Sequence, residues 1–149
     1  MAYVYRAYYA IPTMTTQHGL HTNAVFGFVR MLEHMLAAAA PDYIAVCFDT
    51  REPTFRHAQF ADYKAQRPPM PEPLVEQLPW IKEYLRTLNI VTLEYPGYEA
   101  DDVIATLACH ARDNDMMALI ASSDKDLCQL LQPRNAIPNA RLQDDEVWD

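Results

Sequence analysis

The sequence predicts an α/β fold in which a mainly parallel sheet packs against helices. Short β-branched and aromatic runs alternate along the chain with amphipathic helical patterns, the order typical of a parallel sheet. The chain has 149 residues, half of them apolar, which suits one domain over 1–149. Only three residues are glycine, and no internal repeat is present, so an ordered core is expected.

The first clear helix is predicted over 25–39, where apolar residues fall on one stripe and Thr22 or Asn23 can cap the start. A buried strand over 43–49 follows it and ends on Asp49. Leucine and isoleucine at helical spacing then predict a second helix up to Leu88, with Pro79 at its start or at a kink.

The second half repeats the alternation of strand and helix. Strands are predicted over 90–95 and 117–124, and a short helix over 124–131. Between the strands lies a third amphipathic helix, with an apolar face formed by Val103, Ile104, Leu107, Ala108 and Ala111. The tail from Gln132 is poorly patterned, and no element is predicted there.

Charge and cysteine content limit the classes of protein. The formal charge of −8 argues against coating nucleic acid through net charge, but it allows a local basic strip. Cys47, Cys109 and Cys128 form no CxxC pair and have no suitably spaced histidines, so we expect buried thiols rather than disulfides or a zinc site. The chain opens without a signal peptide, and it has no run of about 18 apolar residues. These features favour a reducing, cytoplasmic setting.

Acidic residues follow the predicted strands, at the sheet edge where ligands bind in open α/β folds. Six carboxylates should meet there: Asp49, Glu99, Asp101, Asp102, Asp124 and Asp126. The alternative is structural, since acids in the first helical turn interact with the helix dipole and cap free N–H groups, each gaining about 0.3 to 1 kcal/mol.

Clustered carboxylates raise one another's pKa unless cations neutralise them. The six ligands offer only oxygen, which points to Mg²⁺ or Mn²⁺ rather than zinc. Two such ions, about 3.5 to 4 Å apart, are an arrangement that supports phosphodiester hydrolysis. The acids therefore predict a site for one or two divalent ions.

The loop over about 50–73 is basic and aromatic, in contrast to the rest of the chain. Between Thr50 and Pro69 its formal charge is +2. Its basic and aromatic side chains are Arg51, Arg56, His57, Lys64 and Arg67, and Phe55, Phe60 and Tyr63. Cations can hold phosphates and aromatic faces can stack on unpaired bases. The alternative is a solvated loop whose aromatic rings cover the core. His57 and Lys64 could act in catalysis, although a lone histidine is more often structural; beside a metal site, Lys64 and Arg67 are the better candidates for phosphate ligands.

Six stretches resemble the 5'-nuclease, or flap endonuclease, family found at the N-terminal end of bacterial DNA polymerase I. They are "YRAYYAIP", "TNAVFGFVRML", "PDYIAVCFDT", "PTFRHAQFADYKAQRPPMPE", "GYEADDVIATLA" and "SSDKDLCQLL", in this order from about Tyr5 to Leu131. The resemblance implies a PIN-like, three-layer α/β domain with two metal sites that cuts 5' ends or flaps of DNA. A polymerase domain is then an expected partner in a full-length relative.

The resemblance also implies roles for individual residues. The six carboxylates would be metal ligands. Arg56, Lys64 and Arg67 would contact DNA near the scissile phosphate, Lys64 and Arg67 as catalytic residues, with Tyr5 and Arg6 nearby. The basic loop would be part of an arch for single-stranded DNA.

Two parts of the family pattern lie outside the sequence. One is a central first strand that carries a further acidic ligand ahead of "YRA", and the other comprises further acids and a helical duplex-binding motif beyond Asp149. We therefore expect an open slot in the sheet and a shortened nuclease core with impaired activity. A DNA-binding remnant without catalysis and an acidic-pocket phosphotransfer domain are the competing interpretations.

Overall fold

The computed structural model describes residues 2–50, 52–60, 66, 68–122, 124–130, 135–140 and 145–148. Helices and strands alternate along much of this length, as the sequence predicts. The helices are α1 Ala2–Ala10, α2 Asn23–Ala39, α3 Phe55–Gln59, α4 Glu72–Val75, α5 Leu78–Thr87 and α6 Ala100–Asp113, followed by a 3₁₀ helix over Lys125–Leu130. The strands are β1 Ala45–Cys47, β2 Val91–Leu93, β3 Ala118–Leu119, β4 Asn135–Ala140 and β5 Asp145–Trp148.

Helix α2 forms where the apolar stripe predicts it, but its start is capped differently. Thr22 is the N-cap residue and makes no side-chain capping bond, and Asn23 is already helical. Instead, the buried Gln77 places its Oε1 within 2.8 Å of the Ala24 nitrogen and 3.2 Å of the Val25 nitrogen. The expected local cap is wrong because a side chain from a distant segment accepts these N–H groups.

A close contact between α1 and α2 anchors the larger core. A Cβ added at Gly27 would lie 2.7 Å from Ala7 Cβ and 2.5 Å from Ile11 Cδ1, so the two helices meet at a residue without a side chain. The core cluster around this contact contains Val4, Ala24, Phe28, Leu32, Phe48, Leu74, Ile81, Leu85 and Ile90. Among the described residues, none of the helices has both the length and the apolar character of a membrane-spanning segment.

The predicted second helix is divided in two. Helices α4 and α5 are separate, and Pro79 lies in the first turn of α5, where its missing N–H removes no helical hydrogen bond. Helix α5 ends at Thr87, so Leu88 lies outside it and is 44% exposed rather than on the inner face.

The three cysteines differ in burial. Cys47 is buried as expected, but Cys109 is half-buried and Cys128 is exposed, so the expectation of three buried thiols is wrong.

The strands form two sheets rather than one. Strand β1 pairs with β2 in parallel, Val46 opposite Thr92. Strand β3 pairs in parallel with β4, which pairs in antiparallel with β5. Strands β4 and β5 lie in the tail where no element was predicted, because their stability comes from pairing rather than from a local apolar pattern.

An open space separates β1 from β3, although both strands pack against α6. The space is part of a cavity of about 2500 Å³ bordered by residues of β1, β3, α2 and α6. Leu107 of the predicted apolar face is 39% exposed because it borders this cavity. The expected slot within a sheet stays a prediction, because β1 and β3 belong to separate sheets.

Candidate metal and nucleic-acid site

Three of the predicted metal ligands come together where β1, α6 and the 3₁₀ helix meet. Asp49 follows β1, Asp101 lies in the first turn of α6, and Asp124 immediately precedes the 3₁₀ helix. Burial, the charges of Asp124 and Asp49, and a hydrogen bond with Asp124 together raise the pKa of Asp101 to about 6. The three acids thus form one electrostatic cluster, which we call the acidic cluster.

Two of these carboxylates also hold the backbone at the start of a helix. Asp49 Oδ1 accepts the N–H of Ala100 at 2.9 Å, which ties the end of β1 to the start of α6. Asp124 Oδ1 accepts the N–H of Asp126 at 3.0 Å, and the carboxylates of both residues are exposed. The capping interpretation is therefore correct in part, and it coexists with the clustering of charge.

Two further predicted ligands, Glu99 and Asp102, form hydrogen bonds that stabilise the start of α6. Glu99 and Asp102 form a capping box, in which Asp102 Oδ2 accepts the Glu99 N–H at 3.0 Å. Asp102 also accepts two hydrogen bonds from Arg56, one from Nη1 to Oδ2 at 2.6 Å and one from Nη2 to Oδ1 at 2.7 Å. This two-bond pair fixes the guanidinium geometry and neutralises the Asp102 charge, so Asp102 differs from Asp49, Asp101 and Asp124 in its surroundings.

The pair with Arg56 holds α3, which lies in the basic loop, against α6. A second contact supports it, because the Phe55 N–H donates to the Gly97 carbonyl at 2.9 Å. Within α3, His57 Nδ1 accepts the N–H of Thr54 at 3.1 Å in another capping box. This bond gives His57 a structural role, in agreement with the alternative considered for it.

The remaining predicted DNA contacts are only partly described. Lys64 and Arg67, the two predicted catalytic residues, lie outside the described residues. Tyr5 lies on α1 and borders the cavity, with its ring stacked on Tyr9 at 6.5 Å between centroids. The Arg6 guanidinium lies 5.4 Å from the centre of the Tyr3 ring.

Beside the acids, Phe55 of the basic loop forms an exposed aromatic group with Tyr95 and Tyr98, two residues that the sequence analysis does not single out. Phe55 and Tyr98 have ring centroids 5.5 Å apart, and Tyr95 and Tyr98 have centroids 5.4 Å apart. The stretch "EYPGYE" contains a signal for it, since two tyrosines flank a Pro-Gly turn. We call Phe55, Tyr95 and Tyr98 the aromatic group.

The chemistry of the acidic cluster fits a hard divalent cation. Its donors are carboxylate oxygens, and the pKa of Asp101 is raised first by burial and then by the negative charges of Asp124 and Asp49, which a cation would offset. Within the described ranges, however, no three His, Cys, Asp or Glu side chains converge closely enough to form a complete ligand set. The acidic cluster therefore offers carboxylate oxygens, but among the described residues it does not form a complete ligand set.

Comparison with known sequences identifies close relatives of the chain. The sequence model described as "5'-3' exonuclease, N-terminal resolvase-like domain" matches residues 1–148. The 5'-3' exonuclease of Aquifex aeolicus is 44% identical over 99% of this chain and 50% of its own length. DNA polymerase I of Caldicellulosiruptor bescii is 41% identical over 86% of this chain and 15% of its own length. The chain thus spans half or less of these relatives.

Solved structures share the fold. The T5 D15 protein co-crystallised with metal ions matches 91% of this chain and 51% of its own, with a TM-score of 0.69 and 18% identity. The T5 flap endonuclease in a pseudo-enzyme-product complex with DNA and metal ions matches 74% of this chain and 44% of its own, with a TM-score of 0.55 and 20% identity. These matches establish the PIN-like α/β fold. The sequence match over residues 1–148 shows that the chain belongs to the 5'-3' exonuclease family.

Proposed function

We propose that the chain is the core of a metal-dependent nuclease that hydrolyses phosphodiester bonds at 5' ends or flaps of DNA. The observation that carries this proposal is the acidic cluster, in which Asp49, Asp101 and Asp124 gather beside the start of α6. Membership of the 5'-3' exonuclease family supports the reaction class, and the T5 complex with DNA and metal ions supports the substrate class.

Asp49, Asp101 and Asp124 would hold the metal, with Glu99, Asp102 and Asp126 as further predicted ligands. We infer Mg²⁺ or Mn²⁺ from the all-oxygen donor set, and we propose two ions from the resemblance to the 5'-nuclease family. Bound ions of this kind activate water and stabilise the charge on the leaving oxygen. Asp101 then remains a carboxylate at neutral pH, because a nearby cation favours its charged form.

The basic loop would bind and orient the DNA backbone. Asp102 holds Arg56 through two hydrogen bonds, so α3 directs the loop from a fixed position beside the acidic cluster. We propose that Lys64 and Arg67 contact the scissile phosphate and stabilise its developing charge. Tyr5 and Arg6 of α1 are proposed as further DNA contacts.

The setting of this activity is part of the same proposal. Relatives named DNA polymerase I are much longer than the matched region, so a polymerase domain is a proposed partner in a longer protein. The cysteine pattern favours a reducing, cytoplasmic compartment.

A labelled 5'-flap substrate with Mg²⁺ tests the proposal directly. The parent chain should release the flap, and Asp101→Asn and Asp124→Asn should each lower the cleavage rate at least 10-fold, while Asp42→Asn, an exposed acid before β1, should not. Circular dichroism would confirm folding of each variant. Absence of cleavage by folded parent protein at any concentration would refute the enzymatic proposal for this chain.

A DNA-binding protein without catalysis is the second candidate. It is favoured by the absence of a complete three-residue ligand set among the described residues. Salt-sensitive binding to the flap substrate, without cleavage in Mg²⁺ or Mn²⁺, would support it. Failure to bind DNA would contradict both candidates.

A further inference from the structure

We propose that Tyr98, with Tyr95 beside it, stacks on an unpaired base of the DNA next to the acidic cluster. This inference rests on the proposed function and adds a surface that contacts bases rather than phosphates. Neither tyrosine is among the site residues predicted from the sequence. The ligand is an unpaired nucleotide of any base, because every base offers a π-face to an aromatic ring.

The rings are exposed to an extent that packing alone does not require. Tyr98 is 47% exposed and Tyr95 is 61% exposed, although the two rings contact each other edge to face. Phe55 is 41% exposed, but the Arg56 guanidinium lies 4.6 Å from its centre. The two tyrosines are therefore the members of the aromatic group best placed to accept a base.

The position of Tyr98 relates it to the proposed chemistry. It immediately precedes Glu99, and it borders the same cavity as Asp49, Asp101 and Asp124. A negatively charged cluster repels the phosphates of an approaching strand, whereas a neutral ring attracts bases through stacking. A base held on Tyr98 would thus bring its neighbouring phosphate towards the carboxylates without adding positive charge.

The turn that carries the tyrosines is held in place before any DNA binds. Gly97 has a φ of +84°, a conformation that side-chain-bearing residues rarely adopt, and its carbonyl accepts the Phe55 N–H. The Tyr98 N–H donates to the Tyr95 carbonyl at 3.2 Å and so closes the turn. Little conformational freedom would be lost on binding, which favours affinity.

Binding of DNA that carries 2-aminopurine in an unpaired 5' strand tests the inference. The 149-residue chain and its variants would be titrated in Ca²⁺ instead of Mg²⁺, with anisotropy for affinity and base fluorescence for stacking. The variants are Tyr98→Ala, Tyr98→Leu, which keeps apolar bulk against Phe55, and Tyr98→Phe, which keeps the ring. Phe26→Ala is the matched control, because Phe26 is 48% exposed and lies on α2.

We expect Tyr98→Ala and Tyr98→Leu to bind the unpaired strand about 5- to 150-fold more weakly and to lose the fluorescence change. Tyr98→Phe should stay within about 2-fold of the parent chain, since the ring is retained. Phe26→Ala should bind as the parent does, and no variant should alter affinity for a blunt duplex.

Parent-like binding by Tyr98→Leu would overturn the inference, and so would an equal loss on the blunt duplex. If the parent cuts the flap while the Tyr98 variants bind unpaired DNA normally, only this inference fails. If the folded parent neither binds nor cuts DNA, the proposed function fails as well.

Discussion

Replacing Asp101 by asparagine should stabilise the metal-free protein at neutral pH. The pKa of Asp101 is about 6 in the folded chain, against an ordinary value of 3.8, because of burial and the charges of Asp124 and Asp49. Above pH 6 the folded state must therefore carry a carboxylate that its surroundings disfavour. Asparagine keeps the shape of the side chain and removes that charge.

The size of the effect follows from the difference between the two pKa values. Their separation corresponds to at most about 3 kcal/mol, and screening of a half-buried group reduces this to about 1 to 2 kcal/mol. Well below pH 3.8 Asp101 is neutral in the folded and unfolded states, so the penalty is absent. The penalty grows as the pH rises from 3.8 to about 6 and is nearly constant above that, and the gain from Asp101→Asn should follow the same course, so that it is small at pH 4.

Urea denaturation in EDTA at pH 7.5 and pH 4 measures this difference. We expect Asp101→Asn to unfold at a higher urea concentration than the parent at pH 7.5 and at a similar one at pH 4. Addition of Mg²⁺ at pH 7.5 should narrow the difference, because an ion at ten times its Kd stabilises the parent by about 1.4 kcal/mol and the variant less.

The exposed Asp42 provides the control, since Asp42→Asn removes an acid outside the acidic cluster and should leave the Mg²⁺ response intact. If Asp101→Asn were equally stable or less stable than the parent at pH 7.5 in EDTA, Asp101 would not be the strained acid of the cluster. An equal response to Mg²⁺ in both proteins would remove Asp101 from the ligand set.

Three further predictions concern the framework of the site. A double-mutant cycle on Arg56→Ala and Asp102→Ala, measured by urea denaturation, should give a coupling energy of about 1 to 2 kcal/mol, because the ion pair is bidentate and partly buried. A coupling energy near zero would contradict this. Gln77→Leu should cost about 2 to 4 kcal/mol, since it leaves two helix N–H groups without their acceptor, and an unchanged midpoint would refute that reasoning. Gly27→Ala should lower the thermal midpoint through about 1 to 3 kcal/mol of overpacking, since the new Cβ would lie 2.7 Å from Ala7 Cβ; a more stable variant would show that α1 can move away.

Much of the candidate site could be anticipated from local pattern. Asp49 and Asp124 were recognised because each acid ends a short apolar run, and Asp101 because it opens an amphipathic helix. Parallel strands place their carboxyl ends on a common side, so these positions could be related without coordinates. The proximity of these acids could be predicted because the spacing along the chain shows which end of each strand or helix carries the acid.

The different surroundings of adjacent acids could not be anticipated. Asp101 and Asp102 are neighbours in sequence, yet Asp101 contacts Asp124 while Asp102 is neutralised by Arg56. Successive residues on a helix point about 100° apart, so their partners depend on which elements pack on each side. The association of Phe55 with Tyr98 could not be predicted for a similar reason, because the two rings meet only when α3 lies against the turn before α6.

The sequence by itself determined the alternation of helices and strands, the acidic strand ends and the resemblance to 5'-nucleases, because these depend on residue type and short-range spacing. Tertiary structure alone decided that Gln77 caps α2, that the strands divide into two sheets around a cavity, and that Arg56 holds Asp102. Each of these depends on contacts between residues far apart in the chain. Such contacts form where packing would otherwise leave a buried N–H, a strand edge or a carboxylate without a hydrogen-bond partner.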